Sequence, residues 1–163
     1  ILKAMRITMK IKNKKLFIAT MSISLLLDQC TKFLIKSYIQ IGNHWPENWE
    51  LIRLSHIRNT GGIFGIMQNM NDILLIFSII IIMAILGYIL FLTHLNLFES
   101  ISFGLIIGGG IGNIIDRIID GSVTDFIDPI YYPAFNLADS SIVIGIIAYL
   151  FFTLKGSTDG QEN

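Results

Sequence analysis

Four long apolar segments constrain this chain more than any other feature of its sequence. The clearest is 73–93, ILLIFSIIIIMAILGYILFLT, which carries no charged residue and has about the 20 apolar residues that a bilayer-spanning helix requires. Another begins at Leu16 with LFIATMSISLLL, meets Asp28 and Lys32, and resumes with FLI. The remaining two lie at about 101–119, which is glycine-rich, and about 135–154. The sequence therefore predicts an all-α membrane protein, a bundle of four transmembrane helices.

The composition supports this fold class and gives the bundle a direction. Only 15% of the residues are charged, whereas soluble domains carry about 25%. Residues 1–15 contain six lysines and arginines and no acid, so the positive-inside rule places the N-terminus in the cytoplasm. Four spans then return the C-terminus to the cytoplasm and leave the segments at about 38–72 and 120–134 outside.

No internal repeat or low-complexity linker divides the chain. We expect a basic cytoplasmic N-terminus at 1–15, a single four-span domain at 16–155 and a cytoplasmic tail at 156–163. Residues 10–27 also fit a cleavable signal peptide, but no small residues in an A-x-A arrangement follow them, which favours an uncleaved first span. The single cysteine, Cys30, lies in an apolar setting and is expected to pack.

Ionisable residues within spans are costly and usually face a partner or a cavity. Asp28 and Lys32 are four residues apart, so they share one helix face and can form an ion pair. The pair either helps the first span insert or braces a functional site, and the sequence leaves both interpretations open. In the predicted topology, the unusual polar residues of all spans converge on the outer membrane face.

The stretch 108–117, GGGIGNIIDR, combines two patterns. Gly108 and Gly112 form a small-xxx-small face, which allows another helix to approach closely. Asn113 lies one turn before Asp116, so its amide can hydrogen-bond the carboxylate or hold a substrate backbone beside it.

The same Asn-x-x-Asp spacing recurs where span four begins, with Asn136 before Asp139. One such pair can be a helix cap, but two pairs on one membrane side make capping a less sufficient account. Two carboxyl groups brought close together share one proton near neutral pH. The ionised group can activate a water while the protonated group donates to a scissile carbonyl, which is aspartic-protease chemistry. Spacing alone would pair Asp116 with Asp139.

Other chemistries have weaker support in the sequence. The three histidines show no metal spacing such as HExxH, no serine lies in a G-x-S-x-G setting, and no phosphate-binding or dinucleotide motif is present. We therefore expect no metal and no cofactor. The rival hypotheses are a small ion-coupled transporter and a non-catalytic membrane assembly factor. Transporters often carry inverted repeats, which this sequence lacks.

Five sequence blocks resemble the lipoprotein signal peptidase family of the bacterial inner membrane, also called signal peptidase II. They occur in the family's order and are DQCTK at 28–32, RNTGGIFG at 58–65, GGGIGNIIDR at 108–117, VTDFID at 123–128 and FNLADSSIVIG at 135–145. The resemblance implies a four-span bundle with a small β-containing extracytoplasmic portion between spans one and two.

The resemblance also implies the reaction. Members of this family are aspartyl endopeptidases that remove the signal peptide from prolipoproteins, cutting just before a cysteine that carries diacylglycerol. The implied partners are lipid-modified prolipoproteins, membrane lipids and globomycin-type peptide inhibitors, with no nucleic acid. The family further suggests a monomer whose active site lies near the outer membrane face.

The family's catalytic aspartates match Asp125 and Asp139, a pairing that replaces the one favoured by spacing. Asp116 then becomes a buried support, tied to Arg117 or to a neighbouring span. The positions implied to hold the substrate backbone and to orient the acids are Asn59, Asn113, Arg117 and Asn136. The positions implied to be structural are Asp28 and Lys32, with Gly61 allowing a close backbone approach.

Residues 123–139 are expected to form a hinge between spans three and four. The linker between the two aspartates is shorter than the family's, and Thr124 replaces a position that is usually apolar. Asp128 competes with Asp125 for the catalytic role, because it lies one turn further if the segment is helical. Pro129 indicates that the chain turns away from the site after Asp128, which favours Asp125.

Overall fold

The structure is a computed structural model that describes residues 13–48, 51–61, 70–91 and 95–159. It contains four helices, α1 (Lys14–Tyr38), α2 (Asn71–Phe91), α3 (Leu97–Asp120) and α4 (Leu137–Asp159). It also contains three strands, β1 (His44–Trp45), β2 (Ile52–Asn59) and β3 (Val123–Pro129). All four helices are long and apolar enough to cross a membrane, α4 over Leu137–Lys155. The prediction of four spanning helices is confirmed.

Some predictions fall on parts of the chain for which no structure is described. The basic residues 1–12, the end of the second sequence block at 62–65 and the last residues 160–163 lie outside the described residues. The division into a cytoplasmic N-terminus, one four-span domain and a cytoplasmic tail therefore stays a prediction.

Helix α3 begins at Leu97, earlier than the predicted start near residue 101. The Asn96 side chain accepts a hydrogen bond from the backbone N–H of Glu99 at 2.9 Å, and the Glu99 carboxylate accepts one from the Asn96 N–H at 2.8 Å. This capping box satisfies two of the backbone donors that a helix N-terminus leaves unpaired. The Asn-x-x-Glu motif was the sequence signal for this start, and hydropathy alone does not reveal it.

Helix α3 lies at the centre of the bundle and contacts α1, α2 and α4. A Cβ atom at Gly108 would lie 2.5 Å from the carbonyl oxygen of Met21 on α1, and one at Gly109 would collide with the carbonyl of Ala138 on α4. Glycine is needed at both positions because the neighbouring backbones approach so closely. The predicted close-packing face at Gly108 is confirmed.

Apolar side chains hold the helices together on either side of these glycines. Phe103 and Ile107 of α3 pack in one buried cluster with Phe17 of α1, Ile89 of α2 and Leu95. Helix α2 is apolar around its whole circumference and leaves most of that surface exposed. A helix of this kind is stable only where lipid covers it.

Cys30 is exposed on α1, so the prediction that it packs in the interior is wrong. Cys30 lies two positions after Asp28, which corresponds to about 200° around a helix and turns it away from the bundle. The buried residues of α1 are Phe17, Ser24, Asp28, Lys32 and Ile35.

The strands form one antiparallel sheet in the order β1-β2-β3. Strands β1 and β2 lie between α1 and α2, which confirms the predicted β-containing portion there. Strand β3 occupies 123–129, so the prediction of a hinge is wrong for these residues, whose β-branched and aromatic side chains favour a strand. The register pairs Ile57 with Asp125 and Asn59 with Val123. Asn59 and Asp125 are therefore diagonal neighbours on one sheet face.

Substituting Gly108 by alanine tests the close packing of α1 on α3. We expect Gly108→Ala to lower the free energy of unfolding by about 1–3 kcal/mol, because the methyl group overlaps the Met21 carbonyl and forces the helices apart. Thermal unfolding of the purified protein in detergent measures the effect.

The matched control is Gly87→Ala in α2, where an added Cβ meets nothing within 4 Å. Because alanine favours a helix over glycine by about 1 kcal/mol, this variant is expected to unfold at the wild-type temperature or above it. Equal Tm values for the two variants would contradict the packing described for α1 and α3.

Candidate active site

A buried lysine joins α1 to α3 at one end of the bundle. The ammonium of Lys32 lies 2.8 Å from a carboxylate oxygen of Asp28 and 3.1 Å from one of Asp116. It also donates to the Asn113 side-chain oxygen at 3.0 Å. Because Lys32 is 1% exposed, these three acceptors replace the water that a charged ammonium loses on burial. The predicted Asp28–Lys32 ion pair is confirmed.

Asp28 also fixes the start of α4. Its second carboxylate oxygen accepts a hydrogen bond from the backbone N–H of Ala138 at 2.9 Å. The first N–H groups of a helix have no partner within the helix, and a carboxylate placed there is stabilised by the helix dipole. The first turn of α4 is thereby attached to α1. Gly112 of α3 permits this arrangement, because a Cβ there would lie 2.5 Å from Asp28.

Asn136 caps α4, as the sequence analysis considered, but capping is only part of its role. Its side-chain oxygen accepts from the backbone N–H of Asp139 at 2.8 Å, and the Asp139 carboxylate accepts from the backbone N–H of Asn136 at 3.3 Å. The side-chain nitrogen of Asn136 donates to Asp125 at 2.7 Å. One fully buried amide therefore contacts both of the aspartates that the family resemblance selects.

Asp139 stands in the first turn of α4, where the N-terminal end of the helix favours a negative charge. Its Oδ2 accepts the Asn136 backbone N–H, and its Oδ1 accepts the side-chain N–H of Asn113 at 2.8 Å. Asn113 does not contact Asp116 as its spacing suggested. It bridges Lys32 and Asp139 instead.

Asp125 lies on β3 and is 2% exposed. The side-chain nitrogens of Asn59 and Asn136 donate to its two carboxylate oxygens at 2.8 and 2.7 Å. Burial raises the pKa of Asp125 to about 7, and the negative charge of Asp139 acts in the same direction, while the two amide hydrogen bonds oppose the rise. A carboxyl group with such a pKa carries a proton below neutral pH.

Asp116 links α3 to α1 and to β3. It accepts the backbone N–H of Thr124 at 3.0 Å and receives the Lys32 ammonium. The expectation that it binds a neighbouring span is confirmed by the contact with α1. The hydrogen bond from the Thr124 N–H holds the start of β3 against α3, and the Thr124 side chain is buried.

Asp128 is directed to a different set of partners from Asp125. Side chains three positions apart on a strand point to opposite faces. Asp125 and Asp128 therefore do not share a face, as they would if the segment were helical. The Asp128 carboxylate accepts from Arg53 at 3.0 Å and from Ser55 at 2.6 Å. Both partners lie on β2, and the three side chains stabilise the sheet.

A cavity of about 780 Å³ opens beside Asp125 and Asp139. The polar residues of its wall include Asn113 and Arg117, together with Asn59 and Gly61, whose backbone N–H donates to the Asn59 side-chain oxygen at 2.9 Å. Much of the remaining wall is apolar. The cavity-lining residues that the sequence analysis missed include Arg58, Tyr132, Phe135, Ser140, Val143 and Ile144.

The missed residues carried only weak sequence signals. Tyr132 and Phe135 belong to the aromatic segment YYPAF that precedes α4, and an aromatic segment of this kind at the end of a span is also typical of a membrane interface. Within the described ranges, no group of three or more histidine, cysteine, aspartate or glutamate residues is arranged to hold a metal ion. His56 instead contacts the Ile39 carbonyl at 2.7 Å.

The chain is similar in sequence to proteins of known class. Residues 20–155 match the family profile described as "Signal peptidase (SPase) II". The chain is 33% identical over 158 residues to the lipoprotein signal peptidase of Staphylococcus aureus strain JH9, covering 92% of this chain and 97% of the relative. The lipoprotein signal peptidase of strain Newman gives the same figures.

The fold is similar to that of two solved structures. One, described as a bacterial membrane enzyme at 2.3 Å resolution, superposes with a TM-score of 0.84 at 30% sequence identity and covers 92% of this chain and 94% of that one. The other, described in the same words at 1.9 Å, superposes with a TM-score of 0.77 at 32% identity and covers 87% and 94%.

The raised pKa of Asp125 predicts a pH-dependent stability. The folded protein holds this proton more tightly than the unfolded chain, so the stabilisation is lost as the pH rises through about 7. Asp125→Asn cannot lose a proton. We expect its Tm in detergent to rise relative to the wild-type Tm between about pH 5 and about pH 8.

The control for this series is Asp128→Asn, which leaves Arg53 without its carboxylate partner. This variant is expected to have a lower Tm than the wild type at both pH values. A constant difference between Asp125→Asn and wild type across the series would contradict the raised pKa.

Proposed function

The chain belongs to the signal peptidase II family, and on that premise we propose that Asp125 and Asp139 are its catalytic pair. The protein is a multi-pass bacterial membrane aspartyl endopeptidase that processes prolipoproteins. The transporter hypothesis has no support in its relatives. The observation that carries the assignment of the pair is the Asn136 amide, which hydrogen-bonds Asp125 and caps Asp139.

The surroundings of the two acids give them different roles. Asp125 is the protonated partner below neutral pH, because burial and the charge of Asp139 raise its pKa to about 7. Asp139 is the carboxylate, since it lies at a helix N-terminus and accepts N–H groups at both oxygens. Two acids held in opposite protonation states are what general acid–base catalysis requires.

The reaction follows from these two states. Asp139 takes a proton from a water molecule as the water oxygen attacks the scissile carbonyl carbon, and Asp125 gives its proton to the carbonyl oxygen. The tetrahedral intermediate then breaks the C–N bond. The departing nitrogen receives the proton from Asp139, and Asp125 regains its own proton from the intermediate hydroxyl, which restores the starting pair.

The cavity wall supports binding of an extended, lipid-bearing peptide. Arg117 lines the cavity, and its guanidinium donates to the backbone carbonyl of Asn113 at 3.4 Å. We assign Arg117, Asn59 and Gly61 to the substrate backbone. The apolar side of the cavity receives the residues next to the scissile bond and the diacylglyceryl-cysteine. A volume of about 780 Å³ is in the usual range for small-molecule sites, about 300–1,000 Å³.

We place the catalytic end of the bundle at the outer membrane face, with both termini in the cytoplasm. The basic residues at 1–15 support this orientation. Exposed aromatic side chains near the catalytic end also fit the aromatic belt of a membrane interface, and these are Tyr38, Trp45 and Tyr131. Membrane lipids and globomycin-type peptides are the further partners that we propose, for an enzyme acting as a monomer.

Cleavage of a diacylglyceryl-modified prolipoprotein by the purified enzyme in detergent tests the catalytic pair. We expect Asp125→Asn and Asp139→Asn each to lower kcat by about 10²–10⁴-fold, the range typical of a lost general acid or base. Wild-type activity is expected to fall as the pH rises through about 7, where Asp125 loses its proton.

Two further aspartates serve as controls in the same assay. Asp128→Asn changes a carboxylate of the same strand that lies outside the cavity wall, and it is expected to cleave at a rate close to wild type. Undiminished cleavage by both Asp125→Asn and Asp139→Asn would refute the assignment. Loss of activity in Asp116→Asn alone would instead support the pair that spacing suggested.

A further inference from the structure

We propose that Lys32 is a positioning residue for the reaction, which acts through the Asn113 amide to keep Asp139 as the carboxylate of the pair. The inference rests on the proposed function, because it needs Asp139 to be the general base. It goes beyond the structural role that the ion pair with Asp28 would by itself give to Lys32.

The hydrogen bonds fix the orientation of the Asn113 amide. The Lys32 ammonium has donors only, so the group it contacts at 3.0 Å must be the side-chain oxygen of Asn113. The nitrogen end of the same amide then faces Asp139 Oδ1 at 2.8 Å. An amide can usually be turned over without changing its shape, but Lys32 permits only this orientation. Oδ1 of Asp139 therefore always meets a donor.

The two aspartates accept hydrogen bonds from amides that are held in different ways. The amides that contact Asp125 are themselves held by neutral backbone N–H groups, those of Gly61 and Asp139. The amide that contacts Asp139 is held by a charged ammonium. Hydrogen bonds in a chain polarise one another, and a cation at the far end makes the near end a stronger donor. Lys32 thus favours the negative charge on Asp139 over that on Asp125.

Lys32 also holds the turn that carries Asp139. One oxygen of Asp28 receives the Lys32 ammonium, and the other accepts the N–H of Ala138, the residue before Asp139. Without the cation, Asp28 would be a buried carboxylate without its charge partner, which is costly. The same side chain therefore affects both the charge and the position of Asp139.

Other charged groups act on Asp139 as well, and the test must separate them from Lys32. The charges around it are Asp28 on α1, Arg117 on α3 and Asp125 on β3. Arg58 on β2 lines the same cavity, and Asp116 on α3 pairs with Lys32. Among these, the side chains that directly contact Lys32 are Asp28 and Asp116. Lys36 is the matched control, because it lies one turn further on α1 and contacts Asp116 and Asp120.

The test is the pH dependence of kcat/KM for prolipoprotein cleavage by folded variants. With Lys32→Met, the acid limb of the profile is expected to move to higher pH by about one unit, because the base loses a nearby positive charge. KM is expected to stay near its wild-type value. Lys32→Arg keeps the charge and should return the acid limb toward its wild-type position. Lys36→Met should leave the limb where it is.

Two further variants keep the proposal falsifiable if Lys32→Met does not fold. Lys32→Met/Asp28→Asn also removes the negative charge of Asp28, which Lys32→Met alone leaves without a partner. Asn113→Leu removes the amide that joins Lys32 to Asp139 and leaves the Lys32–Asp28 and Lys32–Asp116 contacts in place. Both are expected to shift the acid limb in the same direction as Lys32→Met. Adding Lys32→Met to Asn113→Leu should produce a smaller shift than in the wild-type background, as a double-mutant cycle measures.

An acid limb that stays at its wild-type position in Lys32→Met, or in Asn113→Leu, would overturn the inference and leave the proposed function standing. Equal shifts by Lys32→Met with and without Asn113 would overturn the amide route. The proposed function fails separately, and takes the inference with it, if Asp139→Asn cleaves as fast as the wild type.

Discussion

The ammonium group of Lys32 is surrounded by acceptors from two helices, and the end of the bundle that carries Asp125 and Asp139 is organised around it. It contacts Asp28 on α1 and Asn113 and Asp116 on α3. Asp28 in turn binds the start of α4, Asn113 binds Asp139, and Asp116 binds the start of β3. The same contacts therefore stabilise the fold and position the site. Removing one partner of such a buried ion pair typically costs about 3–5 kcal/mol.

A second constraint is the amide of Asn136, which joins the start of α4 to Asp125 of the proposed pair. Its oxygen completes the helix cap and its nitrogen binds Asp125. The cap therefore holds Asp125 of β3 close to Asp139 of α4, although the two residues lie on different elements. Only residues 130–136 lie between the end of β3 and the start of α4.

How far the sequence predicts this arrangement depends on how local each contact is. The spans, the Asp28–Lys32 pair and the glycine face follow from composition and from spacing within one helix. The partners of Asp116 and Asn113 do not, because they lie on other elements. The two Asn-x-x-Asp motifs also differ in context. Within α3 the backbone N–H groups already donate to helix carbonyls, whereas at the start of α4 the backbone N–H of Asp139 donates to the Asn136 side-chain oxygen. Strand β3 depends on pairing with β2, and the resemblance to a family, not the spacing, selected Asp125.

The central claim is that the pair holds one proton and that Asp125 carries it. Infrared difference spectra of the purified enzyme in detergent, recorded for wild type, Asp125→Asn and Asp139→Asn at about pH 6, below the pKa of about 7, test it most directly. A protonated carboxyl C=O band is expected in the wild type and should be missing from Asp125→Asn. A band that persists in Asp125→Asn and disappears in Asp139→Asn would contradict the account, because the proton would then reside on Asp139.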